Sequence, residues 1–287
     1  MRDLNFSTWM QVLILAGSIL LPGHRVMAQD DDLDHCAEYN HITFGILPFV
    51  SAEQLVISFS PLTLYLSKHL GVPVRIETAP TFAEFAHRTY NEQRYDILFT
   101  APHLFPEAKR KAGYRLIVGV DSPRMWAVIV VPKDSPIHTV KDLMGKRLAT
   151  LPPMGLATLL ARKYLMGQGI NPDTDLVMVE TPTHDASLLS SYLKVTDASV
   201  LMQPPYKSAS AQIRAHMRVI ARTDSTPHIP ISVSPRISNT CAAEIKTLLL
   251  NMAATQEGKQ VLSHNSFSGF KATNSEEYER VRDLLVR

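Results

Sequence analysis

The sequence predicts an α/β fold of two lobes, each a mainly parallel sheet flanked by helices, joined by a two-segment hinge. Three observations carry that prediction. Strand-like runs alternate with amphipathic helices from about residue 40, the pattern of right-handed βαβ units. The alternation breaks near Ser122–Arg124 and then starts again. A last strand-like run, "HIPISVS" (228–234), is followed only by helix. A chain of 287 residues is long for one small core and suits two. The expected first lobe takes residues 40–123 and 232–287, with 124–231 inserted as the second lobe.

Each element has a local reason. "HITFGILPF" (41–49) is the first strand, and Ser60-Pro61 reads as the N-cap and first residue of the helix after it. Leu62, Tyr65, Leu66 and Leu70 form that helix's apolar stripe, and Gly71 ends it. "VRIETA" (74–79) is a strand, and Thr81 with Glu84 makes a capping box for a helix that buries Phe82, Phe85 and Ala86. "YDILFTAP" (95–102) is a strand apolar on both faces, followed by a helix from Leu104 to Ala112, with Gly113 as its stop. "RLIVGV" (115–120) completes the first run. In the second run "WAVIVV" (126–131), "KRLATL" (146–151), "DLVMVE" (175–180), "DASVLM" (197–202) and "RVIAR" (218–222) read as strands. Helices are expected after "PPMGLA" (152–157), from about Asp185 to Leu193 and from Pro205 to His216. The tail "CAAEIKTLLLNM", "EGKQVL" and "SEEYERVRDLL" is helical.

Composition narrows the function. With 45% apolar and 20% charged residues the chain is ordinary globular material. A net charge of +2 without a basic run argues against a nucleic-acid partner. Arg2, the apolar run Trp9–Leu21 and the small residues up to Ala28 match a cleaved secretory signal at 1–28, so a periplasmic protein is expected. Nothing later is apolar for long enough to cross a membrane. In an exported chain the two cysteines, Cys36 and Cys241, are either one disulfide or two separate thiols. There is no G-x-S-x-G elbow, glycine-rich dinucleotide fingerprint or P-loop, so no enzyme and no cofactor is expected. None of the 11 histidines pairs at i, i+4, and there is no Cys-x-x-Cys, so no metal centre is assigned. His103, His184 and His228 at three strand mouths keep a metal or metalloid binder as the alternative.

In open α/β sheets ligands sit beyond the carboxyl ends of strands, at helix N-termini. That rule selects Pro48 to Ser51, Thr81-Phe82, Thr100 to His103, Ser122, Pro152 to Ala157, Thr183-His184, Met202 to Tyr206 and Thr226 to His228. Several of these have a plain structural reading beside the functional one. Ser51 with Gln54 makes a second capping box; Gln203 and Tyr206 suit a helix start; His103 suits a surface or a helix start.

Three stretches carry a family likeness. "WAVIVVPKDSPIHTVKDLMGKRLA" (126–149), "RYDILFTAPHL" (94–104) and "TQEGKQVLSHNSFSGFKATNSEEY" (255–278) resemble periplasmic substrate-binding proteins of the phosphate/phosphite/phosphonate ABC transporter family. The resemblance implies a type II periplasmic binding-protein fold and a ligand held between the lobes. It also implies a permease as partner, or a sensor kinase ectodomain as the alternative, and a monomer. By resemblance Phe82 and Thr100 stand at ligand-contact positions, and His184 matches a histidine in a helix-opening turn, where it either meets ligand or caps the helix. The ligand set is then Ser51, Phe82, Thr100, His103, Ser122, Met154, Gly155, Leu156, His184, Gln203, Tyr206 and His228. Two family features are missing. Met154, Gly155 and Leu156 stand where a Ser/Thr-rich run surrounds an oxyanion, and no carboxylate lies near Gln203-Pro204-Pro205 to meet an amino group. Backbone N–H groups at 155–157 remain as anion donors. The solute is expected to be phosphonate-like by family, or one with an apolar face.

Overall fold

The computed structural model describes residues 36–285; the predicted signal segment at 1–28 lies outside them. Strands β1 (Ile42–Ile46), β2 (Val74–Glu77), β3 (Ile97–Phe99) and β4 (Arg115–Val120) begin one sheet. Strands β5 (Ala127–Pro132), β6 (Arg147–Thr150), β7 (Val177–Glu180), β8 (Ala198–Met202) and β9 (Met217–Arg222) build a second. Then β10 (Pro230–Val233) and β11 (Phe270–Lys271) return to the first. The orders are β11-β4-β10-β3-β1-β2 and β7-β6-β8-β5-β9.

Both sheets are mixed, in a regular way. β1 pairs in parallel with β2 and β3, and β6 with β7 and β8. The reversed strands include the two that arrive from the other lobe: β10 lies antiparallel between β3 and β4, and β5 antiparallel between β8 and β9. A strand entering straight from a neighbouring sheet has no crossover helix to turn it round, so it joins antiparallel. The short edge strand β11 is also antiparallel, to β4. The segments joining β4 to β5 and β9 to β10 run side by side, paired by Met125 N–H to Thr226 O at 3.0 Å and Thr226 N–H to Met125 O at 2.7 Å.

The helices cover the sheets: α1 (Ala52–Leu70), α2 (Phe82–Tyr90), α3 (Phe105–Ala112), α4 (Leu156–Gly167), α5 (His184–Tyr192), α6 (Gln203–Ser208), α7 (Ala211–Ala215), α8 (Asn239–Asn251), α9 (Gln256–Ser263) and α10 (Ser275–Arg282). Two differ from the sequence reading. α1 starts eight residues before Ser60-Pro61, because Ser51 Oγ accepts from Gln54 N–H at 3.3 Å and the apolar stripe already runs through Leu55 and Phe59. Pro61 sits inside it, four residues after an exposed Ile57 whose carbonyl receives no helical N–H from the proline. The helix expected over 205–216 is broken at Ala209, where extended backbone lets Ser210 cap α7 through Ile213 N–H.

Two features brace the first lobe. Asp96, just before β3, accepts from Thr43 N–H at 2.8 Å, Thr43 Oγ1 at 2.7 Å and Arg236 at 2.8 Å, fixing β1 to β3 and to the loop after β10. Cys36 and Cys241 are joined by a disulfide inside the core that α1 and α8 share with the sheet. It ties the described N-terminus to α8 across 205 residues of sequence. Replacing both cysteines with alanine is expected to cost about 2–4 kcal/mol, seen as a lower thermal midpoint that reductant no longer changes. An unchanged midpoint would mean that packing around Cys36 holds this end of the chain without the bond.

Candidate functional site

The carboxyl ends of β1, β3, β6 and β8 point at one another across the space between the sheets. There they enclose a cavity of about 270 Å³ lined by both lobes. From the first lobe come Phe49, after β1, then Gln54, Ser58 and Phe59 on one face of α1, and Phe82 as the first residue of α2. Phe99 and Thr100 end β3, and Asn265 and Phe267 follow α9. Asn265 is drawn in because its Nδ2 donates to Ser58 O at 2.7 Å. From the second lobe come Leu151 and Leu156 around the turn into α4, His184 and Asp185 at the start of α5, Met202, and the α6 face Pro204, Pro205 and Ser208.

Phenylalanines make most of one wall. Phe99 lies 4.9 Å from Phe59, 6.3 Å from Phe49 and 6.1 Å from Phe267, centroid to centroid. His184 is buried, and burial pulls its pKa down to about 3, so it is neutral at physiological pH. Its Nδ1 accepts from Met202 N–H at 3.4 Å, which leaves the proton on Nε2. His228 is lowered to about 4, first by burial and then by Lys271. Burial raises the pKa of Asp185, and no cation or donor offsets it. Among the described residues no Lys or Arg lines the cavity.

Five of the twelve predicted ligand residues line this cavity: Phe82, Thr100, Leu156, His184 and His228. Ser51 and Met154 instead line a second, outer groove of about 740 Å³, walled by Pro48, Pro80, Pro152, Pro153 and Pro182. The remaining five line neither. Ser122 lies on a crossing segment, its N–H on Val120 O at 3.2 Å. Gln203 gives its N–H to Trp126 O at 2.9 Å. Tyr206 packs on the outer face of the second sheet with Val128, Val130 and Leu188, because α6 turns 204, 205 and 208 inward and 206 outward. His103 and Gly155 have become parts of the contact between lobes. The sequence rule missed Phe49's partners Gln54, Ser58 and Phe59 on α1, and Asn265 and Phe267, because none stands at a strand mouth. Among the described residues no group of three or more His, Cys, Asp or Glu is placed to hold a metal ion, so the three strand-mouth histidines do not form one site.

The turn "PPMGLA" explains itself here. Gly155 N–H donates to Pro152 O at 2.7 Å, so it is not free for an anion. A Cβ at Gly155 would stand 2.8 Å from Leu151 Cβ and 3.0 Å from the Pro152 carbonyl, so only glycine lets the turn fold this tightly, with Phe82 of the other lobe in ordinary contact at 3.5 Å. The Met154 carbonyl accepts from Nε2 of His103, fully buried in the first lobe, at 2.9 Å. A second hydrogen bond crosses the cleft from His184 N–H to Phe49 O at 3.2 Å. The hydroxyl-free turn is a docking surface for Phe82 and His103.

A family described as ABC transporter, phosphonate, periplasmic substrate-binding protein matches residues 44–278. The phosphonates-binding periplasmic protein of Escherichia coli (strain K12) is 23% identical over 257 residues, 85% of this chain and 76% of the relative. Among solved structures, a binding protein component of an ABC phosphonate transporter from Pseudomonas aeruginosa superposes with a TM-score of 0.79 at 19% identity, covering 85% of each chain. A Prochlorococcus marinus (MIT 9301) protein in complex with methylphosphonate gives 0.78 at 16% identity, covering 85% of this chain and 97% of its own. The two-lobed type II fold is common to them.

Burial of two neutral imidazoles makes the closed structure acid-sensitive. The pKa of His103 is held at about 4 and that of His184 at about 3, both below the ordinary 6.5. Above pH ~6.5 they are neutral folded or unfolded and contribute no pH dependence. Below it the unfolded chain takes protons the closed structure refuses, at a cost of about 1.4 kcal/mol per pH unit per histidine until the folded pKa is reached. Unfolding free energies followed from about pH 7.5 to about pH 5 are expected to fall by about 2 kcal/mol for each. His103→Gln, whose amide can still donate to Met154 O, is expected to lose its share; a parallel decline in both proteins would contradict this.

Proposed function

The chain belongs to the family of periplasmic substrate-binding proteins of phosphonate ABC transporters, and we propose that it captures a small solute in the cavity between its sheets and delivers it to an ABC permease. The observation that carries this reading is the cavity itself: strand mouths of both lobes converge on one enclosed space, where each lobe supplies about half of a binding surface. The lobes in this reading are 40–123 with 232–287, and 124–231, although the returning strand begins at Pro230. Opening occurs about the crossing segments near Met125 and Thr226, whose paired backbones form a two-stranded hinge. We take the chain to be exported by its N-terminal signal and to act as a monomer.

A cavity of about 270 Å³ suits a solute of few heavy atoms, the size class of the methylphosphonate held by the Prochlorococcus relative. The walls of Phe49, Phe82, Met125, Leu151 and Leu156 call for an apolar face on that solute. Delivery requires a closed form that a permease can recognise by touching both lobes. The structure supports that role with its two hydrogen bonds across the cleft and a buried apolar cluster running from Phe82 and Leu98 through Met125 to Leu148.

Thermal unfolding of the ligand-stripped mature chain against phosphate, phosphonates, organic acids, ammonium compounds and neutral organic solutes tests the capture step. A bound solute at about 100 times its dissociation constant is expected to add about 2.7 kcal/mol. Ser208→Trp, which fills the cavity from α6, is expected to abolish the shift. A shift that survives Ser208→Trp would place the solute elsewhere, and silence across the panel would refute solute capture.

A further inference from the structure

The charge inventory of the cavity departs from what an oxyanion requires. A doubly charged oxyanion taken from water needs cations or several donors to offset the lost hydration. Among the described residues no Lys or Arg lines this cavity. His184 and His228 are neutral, and His264 is the third imidazole in the lining. Some donors of the helix openings that face the cavity are spent on the protein itself. At α4 the Gly155 N–H is taken by Pro152 O; at α5 the His184 N–H goes to Phe49 O and the Ala186 N–H to Thr183 Oγ1. The hydroxyl of Ser58 accepts from Gln54 Nε2 at 3.0 Å.

What the cavity does offer is a carboxylate. Asp185 lines it, half-buried, and has neither a hydrogen-bond nor an ion-pair partner among the described residues. It stands on the second residue of α5, so its charge occupies the place at the helix N-terminus where a bound anion would otherwise sit. Opposite lie the phenylalanines Phe49, Phe59, Phe82, Phe99 and Phe267, whose ring faces carry negative quadrupole potential and attract cations. A carboxylate left without a partner beside an aromatic wall is the complement of a positive charge on an apolar body.

We propose that the cavity takes an organic monocation with an apolar body, its charged end paired with Asp185 and its body against the phenylalanines, and that it excludes doubly charged oxyanions. This rests on the reading that the cavity holds the transported solute, and it sets that solute's class. The pair has no covalent step: binding is an ion pair with desolvation of the alkyl or aryl portion. Neutral His184 Nε2–H remains as a donor to any hydroxyl or carbonyl on the same solute.

Isothermal titration of the ligand-stripped chain with a matched set separates the possibilities: (2-hydroxyethyl)trimethylammonium, its uncharged carbon isostere 3,3-dimethylbutan-1-ol, benzyltrimethylammonium and methylphosphonate. The ammonium compounds are expected to bind at least about tenfold more tightly than the uncharged isostere, a difference of about 1.4 kcal/mol. Asp185→Asn is expected to remove most of that ratio while leaving isostere binding in place, and Asp185→Glu to restore part of it. An unchanged ratio in Asp185→Asn, or no ammonium binding in the wild type, overturns the proposal. Methylphosphonate binding that Ser208→Trp abolishes would overturn the cation assignment while upholding solute capture. Binding of the isostere alone would likewise leave capture standing, so the two readings fail separately.

Discussion

One buried hydrogen bond organises the cleft: the imidazole of His103, in the first lobe, donates to the carbonyl of Met154, in the second. A backbone carbonyl buried at a lobe interface needs a donor, and a neutral histidine with no exposed surface supplies it. The cost is visible at the other ring nitrogen, since Nδ1 of His103 is buried without a partner among the described residues. From this contact the turn Pro152–Leu156 takes its position, Phe82 packs beneath Gly155, and the start of α5 swings close enough for His184 N–H to reach Phe49 O. The two hydrogen bonds are worth only about 0.5–1.5 kcal/mol each, so they register the closed form without locking it.

Behind the cleft two crossing segments join the lobes. They are paired at Met125 and Thr226, and Arg124 reaches both Ser225 and, at 3.2 Å, Glu277 of α10. The C-terminal helix packs on α3, and Leu284 just beyond it joins the apolar cluster shared by the lobes. Two strands with few bonds between them bend easily, whereas the sheets on either side are held by full ladders. In the proposed opening, motion is concentrated next to the cavity and exposes Phe82 and Leu156 together. An apolar solute that covers those surfaces stabilises the closed form in proportion to the area it hides.

Much of this arrangement was legible in the residues, and the exceptions have physical causes. Alternating strands and helices, the break after Val120 and the late strand at Pro230 follow from local periodicity, which the chain carries in itself. The start of α1 was misread because Ser60-Pro61 is a good helix opening locally, while the apolar stripe that overrides it begins at Leu55. The strand-mouth rule selects Phe82, Thr100 and His184, and all three line the cavity. The rule cannot say which way a side chain turns on a short helix: it selects Tyr206, but Pro205 and Ser208 take the cavity face. Asn265 and Phe267 enter through a contact with Ser58, 207 residues away in sequence, which no local pattern announces. The hydroxyl-poor turn was noticed as a departure from an oxyanion site, but its partner on the other lobe, His103, is visible only in three dimensions.

The family relationship and the chemistry of the cleft point in different directions, and the difference is informative. Family and fold are those of a phosphonate-type binding protein, yet the walls hold phenylalanines, imidazoles and an unpartnered carboxylate. A binding-protein fold tolerates such change because specificity rests on a few side chains at strand mouths while the sheets carry stability. The most direct test is a crystal structure of the mature chain with the solute that stabilises it most. Solute density is expected between Phe82 and Asp185, with His103 still bonded to the Met154 carbonyl. Density in the outer groove along Pro152, Pro153 and Pro182, or lobes closed without that hydrogen bond, would contradict it.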